Sequence, residues 1–282
     1  MSSHPPAPLP DSLSLAFVGG GNMARSLIGA LVRGGMLASR IAVAEPNEPL
    51  RKQLADDFGV SVFSRGVEAV QSADIIMLAV KPQVMRTVCV DIAGAVAAQR
   101  PLIISIAAGL RIAQIDRWLG GGFPIVRCMP NTPALIGAGA TGMIANGAVD
   151  AAARDQAQII LATSGLAVWI EHEELMDTVT GVSGSGPAYF FLMIEALEDA
   201  GVAQGLPRET ARTLAIQTCL GAARMASEDG ETPGRLRERV TSPNGTTAAA
   251  LDAFARGGLR ELVASAVDAA TVRGAEMSRE LD

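Results

Sequence analysis

The sequence is short of the side chains that most often do acid–base work. Among its 282 residues are two histidines, His4 and His172, and two lysines, Lys52 and Lys81. His4 lies in a proline-rich N-terminal stretch and His172 in the acidic run Glu171–Glu174. A 2-hydroxy-acid dehydrogenase built on a histidine base is therefore disfavoured. Cysteines are few and odd in number: Cys89, Cys128 and Cys219, with no CxxC pair. That fits poorly with a disulfide framework and fits reduced thiols packed as small hydrophobes. No histidine–cysteine–carboxylate cluster has metal-ligand spacing, so no metal is expected. Aromatics make up 4% of the chain, so Ala, Val, Leu, Ile and Met must fill its core. Positive charge is scarce as well. The net charge is −6, without the basic stripe that a nucleic-acid partner calls for. The longest uncharged run, Cys128–Val149, is broken by Pro, Asn and Gly and cannot span a membrane. Residues 1–12 lack a basic segment followed by an apolar one, so they read as a loose tail rather than a signal peptide. A cytoplasmic protein is expected.

What the chain does have is apolar bulk, 49% hydrophobic, and a length comfortable for two domains. Its first part alternates short β-rich runs with helical periodicity. Strands are predicted at 12–19, 40–45, 60–63, 73–80, 101–108, 124–129 and near 140–145, with helices between them. The near-continuous apolar character of these runs suits strands buried on both faces of a parallel sheet. This is the pattern of a doubly wound α/β fold of the Rossmann kind. From about Glu174 onward strand signals cease and helices follow one another. The expected division is a tail over 1–12, a dinucleotide-binding domain over 13–173 and an all-helical domain over 174–282. Helices 188–197 and 211–226 are apolar over most of their girth, so burial against a second subunit is expected.

Gly19-Gly20-Gly21-Asn22-Met23-Ala24 follows the first strand and opens the first helix. In that context G-x-G-x-x-A is a dinucleotide fingerprint. Gly19 permits the tight turn, Gly21 lets a pyrophosphate approach the backbone, and Ala24 sits at the helix–sheet contact. Glu45, at the end of the second strand and 24 positions after Gly21, suits a ribose 2′-OH and repels a 2′-phosphate. Arg51, Lys52 and Arg65 nearby are able to clasp a phosphate, so the cofactor is left open as NADH or NADPH. Val80-Lys81-Pro82 ends the fourth strand, and Ala107, Ala108 and Asn131 follow the next two. All face the carboxyl-end rim where such folds bind ligands.

The second half contains no lysine. A β-hydroxyacid dehydrogenase with a catalytic lysine there is disfavoured for that reason. Reduction of a C=N bond needs the least acid–base help, because a protonated imine is already electrophilic.

VGGGNMA, LAVKPQ, SIAAG, VRCMPNTPA, VSGSGPAYFF and VTSPNGTT together resemble the pyrroline-5-carboxylate reductase family, in order along residues 13–275. The resemblance implies an N-terminal Rossmann domain and a helical domain that forms intertwined dimers. It implies NADPH- or NADH-dependent reduction of 1-pyrroline-5-carboxylate to L-proline, the last step of proline biosynthesis. It also implies that Val240, Ser242, Thr246 and Thr247 line the substrate site, with Asn244 and Gly245 forming its turn. The carboxylate is assigned to Ser242 and Thr246, and the ring nitrogen to Thr247, so Ser242 and Thr247 are the catalytic candidates. Gly66-Val67-Glu68-Ala69-Val70 departs from the family's N-x-E-A-V pattern, with Arg65 beside it, which bears on cofactor choice. The alternatives are a reductase of another small imine or keto acid, such as piperideine-6-carboxylate, and a nucleotide-sensing module without turnover.

Overall fold

The computed structural model describes residues 12–281; the expected tail lies outside the described residues apart from Ser12. The chain forms two compact units. One runs through Gly184 and resumes at Ala269; the other is Ser185–Asp268.

The first unit is built on one eight-stranded sheet. In chain order its elements are β1 (Leu15–Val18), α1 (Asn22–Arg33), β2 (Ile41–Ala44), α2 (Glu48–Phe58), β3 (Ser61–Phe63), α3 (Gly66–Val70), β4 (Ile75–Leu78), α4 (Pro82–Gln99), β5 (Leu102–Ser105), α5 (Ile112–Leu119), β6 (Ile125–Met129), β7 (Gly139–Ala145), α6 (Ala151–Ala162), β8 (Gly165–Trp169) and the short α7 (Met176–Val179). The strand order is β3-β2-β1-β4-β5-β6-β7-β8. Its first six strands are parallel and carry the doubly wound order, with a switch point between β1 and β4. Every residue of β1, β4 and β5 is buried, and two apolar layers cover the sheet. One layer centres on Ile76, Leu78, Met85, Ile92 and Ile103; the other on Phe17, Leu27, Ile28, Leu31 and Leu54. This is the two-sided burial that the apolar runs predict.

Two features depart from the sequence reading. The sheet is mixed, since β7 pairs antiparallel with β6. The link between them holds only a short 3₁₀ turn, Thr132–Ile136, too little for the crossover a parallel pair requires. In addition, β8 lies outside the predicted strands. It pairs parallel with β7 and is only partly buried, as befits the strand that ends the sheet.

The second unit is helical: α8 (Gly186–Ala203), α9 (Arg208–Glu228), α10 (Pro233–Arg239), α11 (Thr246–Arg256) and the start of α12 (Leu259–Glu280). Helices α8 and α9 are clamped by Glu198, whose carboxylate accepts bonds from Arg208 at 2.8 Å and from Arg212 at 2.9 and 3.1 Å. Those guanidinium bonds hold Glu198 below the usual carboxylate range. Phe190 and Phe191 are 61% and 65% exposed, and Leu192, Leu214, Leu220 and Leu262 are exposed with them. The apolar girth of these helices is therefore open in a single chain.

The compact units part at Gly184 rather than at Glu173, and the end of α12 joins the first unit. A Cβ on Gly142 of β7 would lie 2.6 Å from Val179, so α7 is packed onto the sheet. Arg127 on β6 is 3% exposed and reaches Glu173 at 3.1 Å and Asp177 at 3.4 Å. Glu173 also accepts from the Ile112 N–H at 2.8 Å. Gln114 donates to the Ser278 carbonyl at 3.4 Å, and a Cβ on Gly274 would stand 3.5 Å from Asp177. These bonds fasten the segment after β8 and the end of α12 to the sheet.

Candidate functional site: a dinucleotide crevice and an uncapped helix start

The rim of the first unit is assembled by its parallel strands. Gly19 N–H bonds the Ala44 carbonyl at 2.8 Å, Ala79 N–H the Val18 carbonyl at 2.8 Å, and Ile106 N–H the Leu78 carbonyl at 3.1 Å. The loops carrying Gly19–Ala24, Glu45, Val80–Lys81 and Ala107–Ala108 therefore meet at one edge of the sheet. That edge flanks the switch point, where open α/β sheets take their ligands.

The glycine loop is shaped for close approach. Gly19 has φ +103°, and a Cβ there would fall 2.5 Å from the Ala79 carbonyl oxygen. Only glycine fits. A Cβ on Gly20 would meet Leu54 at 2.6 Å, whereas a Cβ on Gly21 would find open space. Gly21 caps the N-terminus of α1 without a side-chain bond, and the first turn holds no acidic residue. Free N–H groups and the positive end of a helix of 12 residues thus face an open surface. This cradle fits a pyrophosphate. Asn22 is exposed beside it, Met23 is half-buried, and Ala24 is buried against the sheet.

Glu45 is placed at the same spot and is 9% exposed. Its Oε2 accepts the Gly20 N–H at 2.9 Å and its Oε1 the Asn47 N–H at 2.9 Å. Beyond β4, Val80 is half-buried, Lys81 is exposed at the N-cap of α4, and Pro82 starts that helix. Ala107 is buried and Ala108 half-buried. Asn131 is 8% exposed, and both ends of its carboxamide are engaged. Nδ2 donates to the Ser183 carbonyl and Oδ1 accepts from the Ala140 N–H, each at 2.9 Å. It braces the loop after β6, a role its sequence position does not reveal.

In the second unit the stretch Val240–Thr247 forms a turn and a helix start. Asn244 adopts φ 59°, Gly245 N–H bonds the Ser242 carbonyl at 3.0 Å, and Gly245 caps α11 without a side-chain bond. The first turn of α11 has no acidic residue. Val240, Ser242, Asn244 and Thr246 are exposed, and Gly245 and Thr247 are half-buried. This is a second helix N-terminus without a side-chain cap, on a turn that carries Ser242, Thr246 and Thr247, and it is suited to a small carboxylate. The structure thus gathers the cofactor candidates on the sheet rim and the substrate candidates on one turn.

Among the described residues no group of histidine, cysteine and carboxylates is arranged to hold a metal. None of their helices is long and apolar enough to cross a membrane. Burial pushes the Cys89 thiol up to about 12 and raises Cys128 further, so neither is a nucleophile at neutral pH.

A glycine loop at the switch point of a doubly wound sheet defines a dinucleotide-binding fold. Residues 14–109 match the family described as NADP oxidoreductase, coenzyme F420-dependent, and residues 173–277 match pyrroline-5-carboxylate reductase dimerisation. A pyrroline-5-carboxylate reductase of Pseudomonas aeruginosa is 49% identical over 95% of this chain and 97% of its own. The solved reductase of Coxiella burnetii is 40% identical, with a TM-score of 0.91 over 95% of this chain and 99% of its own. That of Plasmodium falciparum, solved with NADP bound, is 30% identical, with a TM-score of 0.84 over 95% and 99%. The chain belongs to the pyrroline-5-carboxylate reductase family. It is an NAD(P)H-dependent oxidoreductase, and its region 173–277 marks it as a homo-oligomer.

Proposed function

We propose that the protein reduces 1-pyrroline-5-carboxylate to L-proline, with the cofactor held in the crevice of the first unit and the substrate carboxylate seated at the start of α11. The observation that carries this reading is the presence, in one chain, of two uncapped helix starts of different kinds. One lies beside a glycine loop that admits a pyrophosphate, and the other beside Ser242, Thr246 and Thr247. When bound, the reduced nicotinamide supplies the hydride.

The chain's own task is binding and orientation. Gly19, Gly21, Asn22, Met23 and Ala24 receive the pyrophosphate, with Glu45 at the adenosine ribose. Val80, Lys81, Pro82, Ala107, Ala108 and Asn131 line or brace the nicotinamide side. Backbone N–H groups of the α11 first turn, with the Ser242 and Thr246 hydroxyls, hold the substrate carboxylate. Val240 packs on the ring, and Asn244 and Gly245 set the turn. Thr247 hydrogen-bonds the ring nitrogen. The imine enters protonated, the hydride adds to its carbon, and the C=N π electrons return to nitrogen. The product amine then needs no further proton from the protein. Positioning of this kind is able to supply much of the rate enhancement.

We assign residues 13–173 to cofactor binding and 174–282 to substrate binding and dimerisation. The exposed faces of α8 and α9 close in intertwined dimers, and the unpaired thiols suit the cytoplasm. The test is oxidation of NADH and NADPH in the presence of 1-pyrroline-5-carboxylate and, separately, piperideine-6-carboxylate. Turnover with the five-membered ring in clear excess is expected. Binding of reduced dinucleotide without turnover of either ring would favour the sensing alternative.

A further inference from the structure

We propose that Glu45 makes this protein prefer NADH over NADPH, because its fastened carboxylate occupies the ground a 2′-phosphate needs. The inference rests on the dinucleotide-reductase reading above and deepens it. In doubly wound folds the side chain ending β2 meets the adenosine ribose. Here that side chain is a carboxylate bonded to the glycine loop itself, through the Gly20 N–H at 2.9 Å. It cannot swing away without breaking that bond and the one from Asn47 N–H, also 2.9 Å. A carboxylate has about four lone-pair sites, so two remain for the two hydroxyls of an unphosphorylated ribose. A phosphate in the same place meets like charge in a poorly solvated corner.

The donors closest to Glu45 along the chain are already committed. The Asn47 N–H, first in line past β2, bonds Glu45, and the Asn47 carboxamide oxygen accepts the Leu50 N–H to cap α2. Arg51 has turned back on the chain: its Nη1 donates to the Glu45 carbonyl at 2.8 Å and the Pro46 carbonyl at 2.7 Å. The Arg65 guanidinium stands 3.9 Å from Asp91, and Lys52 is exposed on α2. The backbone N–H groups between β2 and α2, and Nη1 of Arg51, are therefore engaged within the chain, and the end of β2 offers the ribose a carboxylate.

Titration calorimetry with ADP-ribose and 2′-phospho-ADP-ribose tests this by binding alone, since neither ligand is turned over. The wild-type protein should bind ADP-ribose about tenfold or more tightly than its 2′-phosphate. Glu45→Gln should narrow that ratio about fivefold or more, mainly by tightening the phosphorylated ligand. Equal binding, or a preference for the 2′-phosphate, would overturn the inference and leave the reductase reading standing. An unchanged ratio in a folded Glu45→Gln protein would also overturn it. Binding of neither ligand would remove both. The wild-type ratio decides the matter alone if the variant does not fold.

Discussion

In β1, β4 and β5 every side chain is buried, whereas from Ser185 to Asp268 the buried residues are Gly186, Glu198, Ala211 and Ala215. The first unit closes its own core around a sheet. The second leaves Phe190, Phe191, Leu192, Leu214 and Leu262 in solvent. Exposed apolar surface on this scale marks an association face. The contrast teaches where stability comes from in each half. The sheet beneath the crevice is supported by intramolecular packing, whereas the helical half, which matches a dimerisation family, leaves its apolar surface open in a single chain.

The strongest way to break that contrast is to charge the open face. Phe190→Asp combined with Phe191→Asp removes two side chains, each worth roughly 1.5–3 kcal/mol on burial, from both copies of a symmetric interface. Light scattering should show loss of the oligomer, and reductase activity should fall to background. ADP-ribose affinity should stay within about twofold, because the crevice carries its own core. Parallel loss of ADP-ribose binding would show that the two halves do not stand apart.

Arg127→Ala attacks the opposite half. It strands Glu173 and Asp177 beside a buried site, which should cost about 3–5 kcal/mol in denaturant unfolding. Next comes Gly19→Ala. Its Cβ would meet the Ala79 carbonyl at 2.5 Å on a backbone with φ +103°, so a loss of about 1–3 kcal/mol is expected. Dinucleotide affinity should drop with it while the oligomer persists.

The smallest effect concerns the thiols. Cys89, pushed up to about 12 by burial, and Cys128, raised further, stay protonated in the folded chain while unfolded thiols ionise near their ordinary value. The folded state therefore binds more protons above that ordinary value. These thiols leave stability unchanged below about pH 8.5 and lower it as pH rises beyond. At pH 8 iodoacetamide should label neither in the native protein and both in urea.

Much of the first unit was legible because strands buried on both faces leave continuous apolar runs, as in Ile75–Leu78 and Leu102–Ser105. The strand β8 was not, because Gly165–Trp169 lies at the end of the sheet and is only partly buried. The antiparallel turn of β7 is a property of the short link before it, which periodicity does not register. The glycine fingerprint announced the crevice, but two of its supports were invisible. That Glu45 would bond Gly20, and that Asn131 would spend its carboxamide on residues 140 and 183, depend on side-chain directions that spacing does not encode. The α11 turn was legible as a motif, and the structure adds that its helix start has no side-chain cap and that Ser242 and Thr246 are exposed beside it.

The most direct test of the division of labour is Thr247→Ala, measured for ADP-ribose affinity and for reduction of 1-pyrroline-5-carboxylate in the same preparation. With the oligomer and dinucleotide affinity unchanged, kcat/KM should fall about tenfold or more, the loss expected when one hydrogen bond to the reacting ring is removed. Wild-type kcat/KM in a folded, dinucleotide-binding Thr247→Ala protein would contradict the account and move the substrate seat away from α11.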